Sequence, residues 1–595
     1  KTIIVSSGKS INDAIQQCEE GDTILIHGGV YREVLNINKS DICIKGFSNE
    51  KVIITGTQEV RNWTEIGKNY YKAYCKKEVL QLFEKNRMLL PARWPNYDSS
   101  MYSTRNWKKL YTSKDSTFFV DNSWPENYWN GAWCYAIAGK KWVVNVEQVL
   151  SSKDSILKMK DFWFIYQKKN WYTGDADGFI LKHINALDTL DEWHWQNDTL
   201  FAMLENKPDS INAQIIDIVI KSKGQRNVVM QNICIVGGRI QLENVDNFEF
   251  NQVNVINGTA PKIYEYSNGA AYAAIEFLGE SQNCSISNSI VDGNWGGGIY
   301  LEGENNSIFN CVVSNCNWMG NGTANIGNKG YGHAISFCDV FNSGKFLIVH
   351  NNTQRLSIKN NHLHDGGYLA NDLGLTYTYG TDGDNTEIAY NMVHGNHSKE
   401  AGVGIYLDIE CKKFLVHHNV VYDCLSGIQT IMNAYDHEIY NNTIWNCGKA
   451  INYWGEDGSN MYNQKVYNNL ANDIFDAGTD VRFNLSTGIN QFEDSLHHNF
   501  KLAKAIVKAK NTAISFTKQL NQKVGNYPGI TVEKKIGACK LNETTKATII
   551  DLPGTYSLNA SSIDENVVIE LLMNKKDVNY PDVVVVVSEV ENLKR

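Results

Sequence analysis

GVGIYLDIECKKFLVHHNVVYDCLSGIQTIMNAYDHEIYNNTIWNCGKAINYWG, residues 402–455, states one strand three times. GVGIYLD (402–408), SGIQTIM (426–432) and KAINYWG (449–455) align residue for residue, and GGGIYLE (296–302) is an upstream copy. A second phrase, an Asn followed by alternating apolar residues, runs between them. It occurs at Asn288, Asn310, Asn361, Asn391, Asn419, Asn442 and Asn469, at spacings of 22, 51, 30, 28, 23 and 27 residues. A period in this range marks a solenoid, in which each coil packs only on its neighbours. Three short strands per coil predict a right-handed parallel β-helix, and the 51-residue step predicts one coil plus a long loop, 317–345. Each Asn is expected to turn a corner in the left-handed region and to bond its counterpart in the next coil.

Strand alternation divides the repeated strand into two faces. Ile299, Ile405, Ile428 and Ile451 point inward. Tyr300, Tyr406, Gln429 and Asn452 point outward, and two residues on so do Glu302, Asp408, Ile431 and Trp454. A column of Tyr, Glu, Asp, Gln, Asn and Trp suits a groove that binds sugar rings.

The rest of the chain fits this frame. Of 595 residues, 43% are hydrophobic and 20% charged, enough for a large core and too apolar for disorder. Residues 1–56 read as an N-terminal cap and first coils. Residues 57–225 break the pattern, holding eleven of fifteen tryptophans and four of eight prolines, and predict an inserted antiparallel β domain. Pro261 and Pro528 bracket a proline-free stretch, as an uninterrupted ladder requires. The main β-helix is expected over 226–540, ending near KKIGACK (534–540). A β tail is expected over 541–595, with strands around 547–551, 566–572 and 582–588. Thirteen cysteines cannot all pair, and Cys424 and Cys447, at matching points of the repeat, read as stacked core residues.

The net charge of −9 and the lack of a basic stripe exclude a nucleic-acid partner, and no apolar run is long enough for a membrane span. The chain opens at Lys1 without a Met or an apolar leader, as a secreted chain with its signal peptide removed would and as a trimmed cytosolic chain would; the expectation is a secreted or periplasmic protein, and a monomer. Its expected partner is a polysaccharide or oligosaccharide. Chemistry concentrates in 350–410, with Asp365, Asp372, Asp382, Asp384, Glu400, Asp408, Glu410 and five histidines, His350, His362, His364, His394 and His397. Glycoside hydrolysis takes two carboxyl groups, one to protonate the leaving oxygen and one to attack carbon or activate water. Asp408 stands in the outward column, and a short loop carries Asp372 to the same groove. Glu302 matches Asp408 in the repeat, and Glu276 of AAIEFLG is outward by alternation, placed to bind a hydroxyl or raise a neighbour's pKa. His333, in HAIS, is read either as a contact or proton-transfer group by the groove or as a surface residue of a long loop. Tyr377 and Tyr379, in the strand after Asp372, complete the candidate sugar contacts.

LDTLDEWHWQNDTLFAMLENKP (187–208), then NDLGLTY (371–377) and GIYLD (404–408), resemble the parallel β-helix glycoside hydrolases of family 141. QLFEKNRMLLPARWPN (81–96) resembles the opening of their inserted β domain. The resemblance covers most of 1–540. It implies fucose- or xylose-releasing activity and puts the two catalytic aspartates at Asp372 and Asp408. The chain departs from that pattern at Ile409–Glu410 and in 317–345. Lysine pairs in the insert (108–109, 140–141, 168–169) add the expectation of a sulfated, fucose-containing glycan such as a fucan. No cofactor is required by this chemistry, while the GTDGDN turn (380–385) has oxygen ligands at spacings that suit a structural Ca²⁺. Two other classes compete. A polysaccharide lyase of the alginate or pectin type would need a cationic base, for which Lys329 and Arg355 are the candidates. A non-catalytic carbohydrate-binding solenoid needs no carboxylate pair.

Overall fold

The computed structural model describes residues 1–486 apart from 86, 113–115, 120–121, 160–173, 262–271, 456–458, 460, 472–473, 476–479 and 483. It also describes 492–494, 499–502, 535–540 and 546–551. The chain divides into two compact units, 1–486 and 487–595.

The first unit is a parallel β-helix with an inserted β domain. One wall is a thirteen-stranded sheet that includes Leu35–Ile37, Ile218–Lys223, Gly297–Glu304, Leu373–Tyr379, Gly402–Asp408, Ser426–Ile431 and Lys449–Trp454. Short strands of the same coils form a 25-stranded sheet around the rest of the core. Ile275, Ile299, Ile326, Ile348, Thr376, Ile405, Ile428 and Ile451 sit at one register position in successive coils, all fully buried. Each such column removes apolar surface from water coil after coil, which is what stabilises a solenoid. The helix Ile11–Gln17, capped by Ser10, covers the N-terminal end of this core with Ile11, Ala14 and Ile15.

The asparagine phrase is a buried ladder. Asn361, Asn391, Asn419, Asn442 and Asn469 each donate through Nδ2 to the Oδ1 of the next asparagine at 3.0 Å, the last to Asn484. The same Nδ2 groups donate to backbone carbonyls of the preceding coil, so both hydrogens of each ladder amide are used. These asparagines do not themselves turn the corner. The residue before each one has positive φ: Asn360, Tyr390, His418, Asn441 and Asn468. Only Asn288 and Asn310 of the phrase are left-handed themselves.

The 51-residue step is two coils, not a coil and a loop. Asp339–Ser343 pairs in parallel with Val312–Cys316 on one side and His362–Gly366 on the other. Cys338 takes the place of the ladder asparagine in that coil, so the phrase that marks a corner is missing from the sequence there. The insert likewise ends earlier than 225. Ile218–Lys223 pairs in parallel with Leu35–Ile37 and with Arg239–Glu243, and is therefore solenoid. No asparagine phrase precedes it. The two ends of the insert meet at Gly56, where a Cβ would come within 2.3 Å of the Ile216 carbonyl oxygen. Between them lie an eight-stranded and a seven-stranded sheet, nearly all antiparallel. The insert packs Tyr135, Ile137, Val144, Val146 and Phe179 against Trp295, Met319, Phe346, Val349 and Leu373 of the solenoid. It thereby covers part of the wall that the sequence presents as an open groove.

The last described parallel rung is Leu485–Ser486. Lys535–Lys540, expected to close the final coil, instead pairs antiparallel with Lys546–Asp551 in the second unit, because its partner follows it directly in sequence. The strands expected near 566–572 and 582–588 lie outside the described residues. Twelve of the thirteen cysteines, Cys424 and Cys447 among them, are free thiols.

Candidate active site

Asp372 and Asp408 come together on the thirteen-stranded sheet. Asp408 ends Gly402–Asp408, one rung below Tyr379. Asp372 precedes Leu373–Tyr379 with φ 53°, and its N–H donates to the Glu400 carbonyl at 3.0 Å. That left-handed turn, which Asp tolerates better than most residues, swings its carboxyl back over the strand. A tyrosine of each coil bonds the carboxyl of the other. Tyr377 donates its hydroxyl to Asp408 Oδ2 at 2.7 Å, and Tyr406 donates to Asp372 Oδ1 at 3.1 Å. The Ile409 N–H gives Asp408 Oδ1 a second bond at 2.9 Å.

The two carboxyls differ in surroundings. Asp408 is buried, and desolvation pushes its pKa up to about 6; the Tyr377 bond opposes this and the charge of Asp372 adds to it. Asp372 is half-buried and also raised by desolvation, but the Tyr406 hydroxyl and the Lys345 ammonium both favour its charged form. Lys345 is itself buried, which pushes it down to about 8. It is held by a 2.6 Å bond to the Trp142 carbonyl of the insert. The Asn371 N–H donates to the Lys141 carbonyl at 3.0 Å, so one loop of the insert braces the approach to Asp372. Lys345 carries no periodic signal in the sequence; only the insert's docking shows its purpose.

The other expected site residues separate into two groups. Tyr406, Gln429 and Asn452 are buried, and Asn452 donates to Gln429 at 3.0 Å. They form a polar ladder leading from the carboxyls, and Tyr406 is a hydrogen-bond donor rather than a sugar platform. Tyr379 and Trp454 are exposed, and Trp454 follows Asp408 and Ile431 in the outward column.

The remaining residues are held elsewhere. Glu302 is four rungs from Asp408 in that column, roughly 19 Å at the usual strand spacing, and is paired with Lys329 at 2.9 Å. Tyr300 is buried in the same coil as Glu302. Glu276 is buried in ion pairing with Arg239 at 2.6 Å, with Gln241 as a second donor, and so is not available to a hydroxyl. His333 is neither by the groove nor on the surface. It is fully buried at a corner, where Nδ1 accepts from the Asn306 N–H at 3.1 Å and Nε2 donates to the Lys329 carbonyl at 3.1 Å. HAIS belongs to a short strand of the 25-stranded sheet, on another wall. The lyase candidates are also engaged, Lys329 with Glu302 and Arg355 with Asp384 at 2.7 Å. In the GTDGDN turn, Asp382 pairs with Lys412 and Lys413 and Asp384 with Arg355, so cations already face these carboxylates.

Comparison with known proteins separates the two units. The model for a right handed beta helix region matches residues 273–471, which sets the hand of the solenoid. The model for ferrous iron transport protein B matches 508–595, so the expected end of the solenoid at 540 falls inside a segment of different kinship. The Fe(2+) transporter FeoB of Methanocaldococcus jannaschii is 41% identical over 86 residues, 14% of this chain and 12% of the transporter. That of Leptospira biflexa is 40% identical over 86 residues, with the same shares. This chain therefore spans about an eighth of the length of those relatives. Among solved structures, one described as a glycoside hydrolase superposes with a TM-score of 0.57 over 75% of this chain and 96% of its own, at 10% identity. A complex of XylC with xylose gives a TM-score of 0.35 at 12% identity, over 89% of this chain and 81% of its own. The chain thus shares the right-handed β-helix fold found in a glycoside hydrolase.

Proposed function

We propose that the first unit is a glycoside hydrolase that cleaves a polysaccharide at the Asp372–Asp408 pair. Asp408 acts as the acid that protonates the leaving oxygen, and ionised Asp372 attacks the sugar carbon or activates water. The reading rests on one observation: Asp408 is held near pKa 6 by burial, while Lys345 and Tyr406 favour the charged form of its neighbour. Burial raises both carboxyls, and only Asp372 has a cation beside it to favour its charge, an asymmetry that suits an acid and a base at one pH.

Fucose- and xylose-bearing glycans are the first substrates to try, and a secreted or periplasmic location goes with a polymer of that kind. A sulfated glycan has weaker support, since Lys109 and Lys141 both pair with Asp177 and offer little uncompensated charge. The test is a panel of fucans, xylans, pectins and alginate, assayed for new reducing ends and for absorbance near 235 nm. Reducing ends without unsaturated product support the hydrolase. Unsaturated product assigns a lyase instead, and binding without either product assigns a carbohydrate-binding solenoid.

A further inference from the structure

Two exposed aromatic rings stand on opposite sides of Asp408 in one outward column. Tyr379 is the register partner of Asp408 in the preceding coil, and Trp454 lies two coils beyond it, after Ile431. At the usual strand spacing these three steps span roughly 14 Å along the solenoid axis. Tyr379 is 51% exposed, and Trp454 is open to solvent as well. The Tyr379 N–H donates to Asn351 Oδ1 at 2.9 Å, which anchors the strand end that carries the ring. On the other side, Ile431 packs with Ile409 and Met432, so the floor between Asp408 and Trp454 is apolar.

The insert does not bury this column. It docks on the neighbouring one, where Val349 is buried beneath it in register with Tyr377, Tyr406, Gln429 and Asn452. The outward column therefore stays open on the N-terminal side of Asp408, at Tyr379, as well as on the C-terminal side, at Trp454. A pyranose ring has an apolar face of C–H groups and a rim of hydroxyls, and an aromatic ring is the surface on which that face sheds water. Removing a terminal sugar takes a site closed at one end. Holding sugars on both sides of a bond instead orients an interior linkage over the carboxyls, with binding energy from units that do not react.

We propose, resting on the reading of the carboxylate pair as a hydrolase site, that the glycan lies along the solenoid axis and is cut at an interior bond. Tyr379 holds a sugar on one side of that bond and Trp454 a sugar on the other. The enzyme is then endo-acting, and its substrate is the interior of a chain of several sugars, not a terminal unit.

The full chain is given fucan, xylan, pectin and alginate, and the early products of whichever polymer yields new reducing ends are sized by gel filtration and assayed for free monosaccharide. The expected result is a fall in chain length ahead of any monosaccharide. On end-labelled oligosaccharides of the same glycan, Y379A and W454A should each raise KM about tenfold. They should also move the preferred bond in opposite directions along the oligosaccharide, because each removes a contact from a different side. Y379F and W454F keep an aromatic face and should restore the wild-type bond. Y379L or W454L replaces an alanine variant whose β-sheet circular dichroism is lost. Monosaccharide released from the outset without shortening of the polymer overturns the proposal and leaves the hydrolase reading in place. So does a shift in the same direction, or no shift, in the two folded variants. No new reducing ends from any of the four polymers overturns the hydrolase reading and endo action with it.

Discussion

Tyr377 and Tyr406 occupy the same register position in adjacent coils, their ring centroids 5.4 Å apart and their planes nearly perpendicular, and each serves a different carboxylate. This fixes how the pH profile should respond to mutation. An acid must be protonated, so kcat/KM should fall as pH rises through the Asp408 pKa, near 6. Tyr377 favours the ionised form of Asp408. Tyr377→Phe should therefore raise that pKa and move the alkaline limb upward. Lys345 favours ionised Asp372, so Lys345→Met should move the acid limb upward instead. Profiles of kcat/KM against pH check both shifts; limbs that stay in place in both variants would remove the acid and base roles.

Asp408 carries a stability signature of opposite sense to its activity. Its folded pKa lies above its unfolded value, so the folded state binds more protons in the window between them. The associated stability is fully present below about pH 4 and is lost as pH rises through about 6. At neutral pH the buried charge then costs up to about 3 kcal/mol. Asp408→Asn carries no such charge. It should lower kcat by about 10²–10⁴-fold while melting above wild type at pH 7.5 and level with it near pH 4. Asp372→Asn should lose activity similarly. Scanning calorimetry at the two pH values is the check, and an Asp408→Asn protein that melts below wild type at pH 7.5 contradicts the assigned burial cost.

The inward and outward faces were legible because a strand's period of two is fixed by backbone geometry, so Ile405 and Asp408 fall on opposite sides in any parallel coil. Coil boundaries were legible only where an asparagine marked them. Phe337 turns the same corner before Cys338 without that mark, so a whole coil reads as loop. His333 was misplaced for the same reason: within a loop it has no wall, whereas one residue before Ala334–Ser336 it is a corner plug. Lys345 and the burial of Tyr300 and Tyr406 depend on the insert or on neighbouring coils, contacts between segments that no local pattern encodes.

Glu302 and His333 should both prove structural and not catalytic. Glu302 bonds Lys329 and the Gly279 N–H, roughly four rungs from Asp408. Glu302→Gln should keep activity within about twofold, since an exposed ion pair is worth only about 0–1 kcal/mol. His333→Ala removes the acceptor of the buried Asn306 N–H, which should cost about 1–3 kcal/mol while the folded fraction stays active. Urea titration alongside initial rates separates the two, and a stable but inactive His333→Ala protein would return this residue to the active site.

Trp454 offers an apolar face where a sugar ring can rest. It is 45% exposed although its neighbours in the same strand, Ile451 and Asn452, are buried. It stands two rungs from Asp408 in the outward column, roughly 10 Å at the usual strand spacing. On the proposed function, an exposed indole at that distance would touch the substrate beyond the bond being broken, and so would bind ground state and transition state alike. Interactions of that kind lower KM without raising kcat. Trp454→Ala should therefore raise KM by about 10-fold, the equivalent of about 1.4 kcal/mol, and leave kcat within about twofold. Trp454→Phe, which keeps an aromatic face, should recover most of the loss. The check is steady-state kinetics on the polymer and on a short oligosaccharide that ends before this position. The short substrate should not distinguish the variants, and an equal loss of kcat on both would mean that Trp454 supports the fold around Asp408 instead of the glycan.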